Sequence, residues 1–179
     1  MSRQLPISIL ISTICLISCG QKNTVTENQD QQTNTIYVDT SVIAVLPFDT
    51  TQYCVFKDSK PTNLTTDDLL KIEILLKKCI NDYNPYHERQ FKEINDKHPE
   101  YKLEKKSFII DLVRYKRQYV AITNVKGEKE VWVNCFCATW NTDWRKDLIL
   151  VEDGGNCFFN LKINLTTGQY YELMVNGDA

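Results

Sequence analysis

The 179-residue chain carries 42% hydrophobic and 11% aromatic side chains, enough apolar material to build one domain with a real core. Its 21 basic and 23 acidic residues give a formal net charge of −2, and they form neither a basic block nor an acidic tail, which argues against nucleic acid as a partner.

The chain opens with one basic residue, Arg3, and an apolar run from Ile7 to Ile17. That run is too short for a bilayer-spanning helix, which needs roughly 20 residues, and it has the plan of a secretory signal. Its end, Leu16-Ile17-Ser18-Cys19, resembles the lipobox of bacterial lipoproteins. The resemblance implies that the Cys19 thiol receives a diacylglycerol, that cleavage falls after Ser18, and that the new amino terminus is acylated. Residues 1–18 are then a signal peptide, and the loss of Arg3 takes the mature charge to −3. Gln21 stands at the second mature position, where an aspartate would retain a lipoprotein in the inner membrane, so the expected location is the outer membrane. Several acyl chains, at about 0.8 kcal/mol per buried methylene, make such an anchor effectively permanent. No later apolar run reaches spanning length, so lipid is the expected membrane attachment.

Residues 20–35 contain a single apolar side chain, Val25. Such a stretch cannot bury enough surface to offset its ordering entropy, and residues 19–35 read as a lipidated cysteine followed by a disordered tether. As a coil it reaches on the order of 20 Å. Residues 36–179 are expected to form a single α+β domain.

Within that domain Val42 to Leu46 reads as a short strand or an extended lead-in, with Pro47 placing it at an edge or closing it. The segment from Thr65 to Asn84 predicts the main helix. Thr65 and Asp68 have capping-box spacing, and Leu69, Ile72, Leu76, Cys79 and Tyr83 recur at helical intervals, broadened by Leu75 and Ile80. Asn84-Pro85 is expected to stop it. The charged stretch from Tyr86 to Asp96 reads as a second short helix or an excursion, broken by Pro99.

From Tyr115 the hydrophobic period changes to two. Tyr115–Asn124 and Val131–Cys137, joined by turn residues around Lys126-Gly127, predict an antiparallel hairpin. Asp153-Gly154-Gly155-Asn156 is expected to turn a further hairpin with a strand on each side, and Thr166-Thr167-Gly168 leads into a last strand over Tyr170–Asn176. One main helix on an antiparallel meander of four to five strands is an α+β arrangement. In pattern it resembles the cystatin-like folds. The lipobox, "AVLPFD", "VWVNCFC" and "VEDGGNCFFNLKINL" together resemble small lipoproteins of Bacteroidota-type bacteria. That resemblance implies location and a single domain, and no residue role.

Common chemistries find no footing. Ser41, Ser59 and Ser107 lie outside any Gly-x-Ser-x-Gly elbow. His87 and His98 fall in the charged stretch without zinc-binding spacing, and no cofactor or metal is implied. Five cysteines remain after Cys15 and Cys19, an odd number that leaves at least one unpaired in a monomer. Cys135 and Cys137 on one strand put their thiols on one face about 7 Å apart, and Cys157 on a neighbouring strand could join them. This cluster is the candidate for redox or soft-metal chemistry, set against simple packing of small buried thiols. The other stripe bears Trp132, followed by Trp140, Trp144 and Arg145. Both stripes cannot face one helix. Either a connecting segment covers the second, or Trp132, Trp140, Trp144 and Arg145 form a binding surface, with Trp140 and Trp144 side by side if their segment is helical. The expected function is a lipid-anchored, non-catalytic binding or interaction module of the cell envelope, with an envelope protein or a small molecule as partner; the alternative is a cysteine-dependent redox or soft-metal-handling envelope protein.

Overall fold

The computed structural model describes residues 38–49 and 55–177, so the signal peptide, Cys19, the tether and Cys54 lie outside the described residues. A 3-10 turn at Thr40–Val42 leads into β1 (Ile43–Leu46). Next come a two-residue strand, β2 (Lys60–Pro61), the helix α1 (Thr66–Lys97), and three short 3-10 turns between Pro99 and Arg114. The hairpin β3 (Lys116–Thr123) and β4 (Lys129–Phe136) follows, then a long irregular segment, β5 (Phe158–Asn164) and β6 (Gln169–Val175). The class is α+β. The sheet has six strands in the order β1-β3-β4-β5-β6, with β2 beside β1 on the same edge of β3. All pairings are antiparallel except β1 with β3. The final strand is irregular: Glu172 has φ +50°, and the β5–β6 register shifts nearby. This bulge roughens an otherwise open sheet edge.

Helix α1 starts where the capping box predicts. Thr65 Oγ1 accepts from the Asp68 amide, Asp68 Oδ2 accepts from the Thr65 amide, and Lys129 of β4 donates to the same carboxylate at 2.7 Å. The helix does not end at Asn84-Pro85. It runs on to Lys97 and absorbs the expected second helix, Tyr86–Asp96, as its own C-terminal third. Proline removes one helical hydrogen bond and normally kinks the element. Here tertiary contacts hold the helix on both sides of it. Asn84 pairs with the main chain of Ile110 as donor and acceptor, both at 2.8 Å. Tyr83 and His87 stack across the proline at 4.0 Å, and Phe91 packs on Phe108.

Each face of the sheet has its own core. The helix face joins Tyr119, Ala121, Val131, Val133, Cys135, Phe159, Leu161 and Ile163 to Ile72, Leu75, Leu76, Cys79 and Ile80. On the opposite face Val120, Ile122, Trp132, Phe136 and Phe158 are covered by Phe48 and Phe56 from the segment after β1, and by Trp144 and Ile149 from the segment after β4. The strand expected ahead of the Gly154-Gly155 turn does not form. Its main chain is taken up by side-chain amides: Gln118 donates to the carbonyls of Trp144 (2.6 Å) and Asp147 (2.8 Å) and accepts from the Ile149 amide, while Asn134 donates to the Ile149 carbonyl. Buried backbone groups must find partners, and here they find them on the sheet face instead of in a ladder.

A charged cleft beside the helix

Residues 73, 77, 80, 81 and 84 of α1 stand at i, i+4, i+7, i+8 and i+11, forming a stripe next to the one that fills the core. This stripe faces a cleft of about 520 Å³, closed on its other sides by Asp39 and Val42 before β1, by Ile110 to Val113, and by Arg117 of β3. Arg117 is in phase with Tyr119 and Ala121, on the helix-facing side of the strand, and is only 7% exposed. A buried cation is costly unless it is paired and hydrogen-bonded. Glu73 supplies the countercharge, with Oε1 3.4 Å from Arg117 Nε. Arg117 Nη1 and Nη2 donate to the carbonyls of Tyr115 and Leu112 at 3.3 and 3.2 Å. Nε makes no hydrogen bond among the described residues. The pairing is therefore incomplete at the floor of a cleft.

Tyr119 donates its hydroxyl to Glu73 Oε1. Burial and the Glu73 charge push its pKa well above 10, so it remains a donor. On the cleft's outer lip Asp39 caps the first turn through the Ser41 amide. Hydrogen bonds from Ser41 lower its pKa, burial opposes them, and Arg117 adds to the lowering. Behind the ion pair, burial pushes the Cys135 thiol far up, with Arg117 only partly opposing. Cys79 rises to about 11 by burial, helped by the charge of Asp82. Neither thiol is a nucleophile at neutral pH.

The candidate thiol cluster does not assemble. Cys137 and Cys157 form a disulfide at the junction of β4 and β5, while Cys135 is buried and free on the helix face. The bridged pair forms where Cys137, just past the end of β4, donates its amide to the Cys157 carbonyl at 3.0 Å. Among the described residues no group of histidine, cysteine and carboxylate side chains could hold a metal ion.

Nor do the tryptophans gather on one surface. Trp132 (3% exposed) and Trp144 (9%) belong to the second core. Trp132 donates from Nε1 to Asn160, and Trp144 packs edge-on to Phe136 under Lys116 and Arg145. Arg145 also donates to the Ser41 carbonyl. Trp140 alone is exposed, at 66%, with φ +45° and its ring stacked on Phe158. The i, i+4 argument fails because the segment is a series of turns. The sequence reasoning missed Arg117 and Glu73. The available signal was an arginine at an inward position of a two-period strand.

Comparison with protein-family models, curated proteins and solved structures finds no match to this chain.

Proposed function

We propose that this protein is a lipid-anchored, non-catalytic binding module of the bacterial outer membrane, tethered through Cys19 and taking its ligand in the cleft at Arg117 and Glu73. The lipobox at Leu16–Cys19 supports the anchor. The Cys137–Cys157 disulfide supports export, since such bridges persist in oxidising compartments. No helix among the described residues is long and apolar enough to cross a membrane.

The observation that carries the binding reading is the buried Arg117, whose Nε has no hydrogen-bond partner while the residue lines an open cleft. Burying an unsatisfied donor costs about 1–3 kcal/mol; Nε itself is out of solvent reach beside Glu73, and a ligand oxygen on the free Nη N–H groups offsets part of the cost of burying the cation. The non-catalytic reading rests on the surrounding groups: the nearest thiols and the Tyr119 phenol are all driven toward their protonated forms.

Two experiments test this. Cells fed labelled fatty acid should label the protein, and Cys19→Ala should abolish both the label and cleavage after Ser18; efficient cleavage elsewhere in that variant overturns the lipoprotein reading. A fragment screen by methyl NMR on the mature protein in detergent micelles should shift Val42, Ile80, Ile110, Leu112 and Val113 as a group. A screen whose hits all map to other surfaces, or that yields none, overturns the cleft.

A further inference from the structure

Three carboxylates and two cations line the cleft: Asp39, Glu73 and Asp111 against Lys77 and Arg117. The formal charge of the lining is therefore −1, and a multiply charged anion such as a phosphate monoester gains no net attraction from it. Yet each charge keeps unused hydrogen-bonding capacity. A guanidinium has five N–H donors, and the carbonyls of Tyr115 and Leu112 occupy only two of those of Arg117. Lys77 forms no ion pair among the described residues. Asp39 and Asp111 each give one oxygen to a main-chain amide. Glu73 gives Oε1 to both Tyr119 and Arg117. The second oxygens of Glu73 and Asp111 are uncommitted by those bonds, while Asp39 also takes a side-chain hydrogen bond from Ser41.

Val42, Ile80, Ile110, Leu112 and Val113 supply an apolar wall beside these charges. A ligand that satisfies this lining must carry an anionic acceptor, a cationic donor and apolar surface together. A simple carboxylate leaves the acids unmet, and a simple amine leaves Lys77 and Arg117 unmet. Resting on the binding reading above, we infer that the cleft takes a small zwitterion of the α-amino-acid type, a short peptide or free amino acid with an apolar side chain. Its carboxylate lies toward Arg117 and Lys77, its ammonium among Glu73, Asp39 and Asp111, and its side chain on the apolar wall. About 520 Å³ is within the range of small-ligand sites.

The test is isothermal titration of the mature, acylated protein in detergent micelles with four probes: leucyl-leucine, its N-acetyl form, its C-terminal amide, and phosphoethanolamine. Leucyl-leucine should bind, and blocking either end should weaken it by about 10- to 100-fold, the loss of one charge-assisted hydrogen bond. The exposed Lys77→Ala keeps the fold and should weaken leucyl-leucine while leaving its amide unchanged, because the amide lacks the group that Lys77 meets. Equal affinity for the blocked and free dipeptides, or unchanged dipeptide affinity in Lys77→Ala, overturns the zwitterion assignment. Tighter binding of phosphoethanolamine overturns the amino-acid class in favour of a headgroup-derived zwitterion. If fragments occupy the cleft but none of the four probes binds, the ligand class alone falls; if nothing occupies it, the binding reading falls as well.

Discussion

Gln118 and Asn134 stand directly opposite each other on β3 and β4, and their buried side-chain amides bond to one another at 3.2 Å while both grip the main chain between Trp144 and Ile149. Replacing Gln118 with Leu strands the carbonyls of Trp144 and Asp147 and the amide of Ile149. The two buried groups, on Trp144 and Ile149, cost about 1–3 kcal/mol each, and the Asp147 carbonyl is only part-buried, so Gln118→Leu should lose about 2–6 kcal/mol in urea denaturation. A loss below about 0.5 kcal/mol, the scale of a neutral surface change, would mean that the loop is held by its apolar contacts alone.

The two tryptophans of that loop should separate cleanly. Trp144→Ala empties a buried site between Phe136, Lys116 and Arg145 and should cost about 3–5 kcal/mol. Trp140 rests one face on Phe158 and leaves most of its ring in solvent, so Trp140→Ala should cost less than about 1 kcal/mol. Equal thermal shifts for the two variants would contradict the placement of the loop.

Cys137–Cys157 closes a loop across 20 positions, and chain entropy alone assigns such a bridge about 3 kcal/mol. Cys137→Ser with Cys157→Ser should lower stability by that order under oxidising conditions and abolish the sensitivity of the melting temperature to a reductant. In a Cys54→Ser background, native protein should show no fast-titrating thiol at neutral pH, since burial raises both Cys79 and Cys135. A rapid thiol there would revive cysteine chemistry.

On α1, Leu76 is fully buried and its neighbour Lys77 looks into the cleft. Leu76→Ala should cost about 2–5 kcal/mol and Lys77→Ala no more than about 0.5 kcal/mol. Similar denaturation midpoints would mean that the helix is rotated from the position described.

Much of this was legible in the chain because local chemistry and tertiary packing agree. Thr65 and Asp68 cap the helix as their spacing demands, Ile72 to Ile80 bury the predicted face, and the hairpin around Gly127 pairs as its alternation implies. Illegible features depend on contacts distant in sequence. Pro85 reads as a stop until Asn84 is seen bound to Ile110. Residues 148–151 have strand composition, but Gln118, thirty positions earlier, takes the place of a partner strand. Glu73 and Arg117 look like an ordinary helix charge and an ordinary strand charge until the fold sets them 3.4 Å apart. The tryptophans misled for the opposite reason: closeness in sequence suggested one surface, and the sheet's two-sided core separated them.

The parallel strand β1 has a consequence for how the cleft can be lost. Ile43 pairs with Arg117, 74 positions later, so docking this four-residue edge strand closes a long loop at an entropic cost. Short edge elements are also among the first to open in native-state fluctuations, here against the burial of Ile43, Ala44 and Leu46. Asp39 and Val42, one whole wall of the cleft, lead directly into that strand. The cleft therefore exists only while the domain's first strand is docked, and whatever occupies it clamps that strand against β3. Occupancy and the peeling of the chain's entry point are two readings of a single equilibrium, so amide exchange along Ala44–Leu46 serves as a gauge of how full the cleft is.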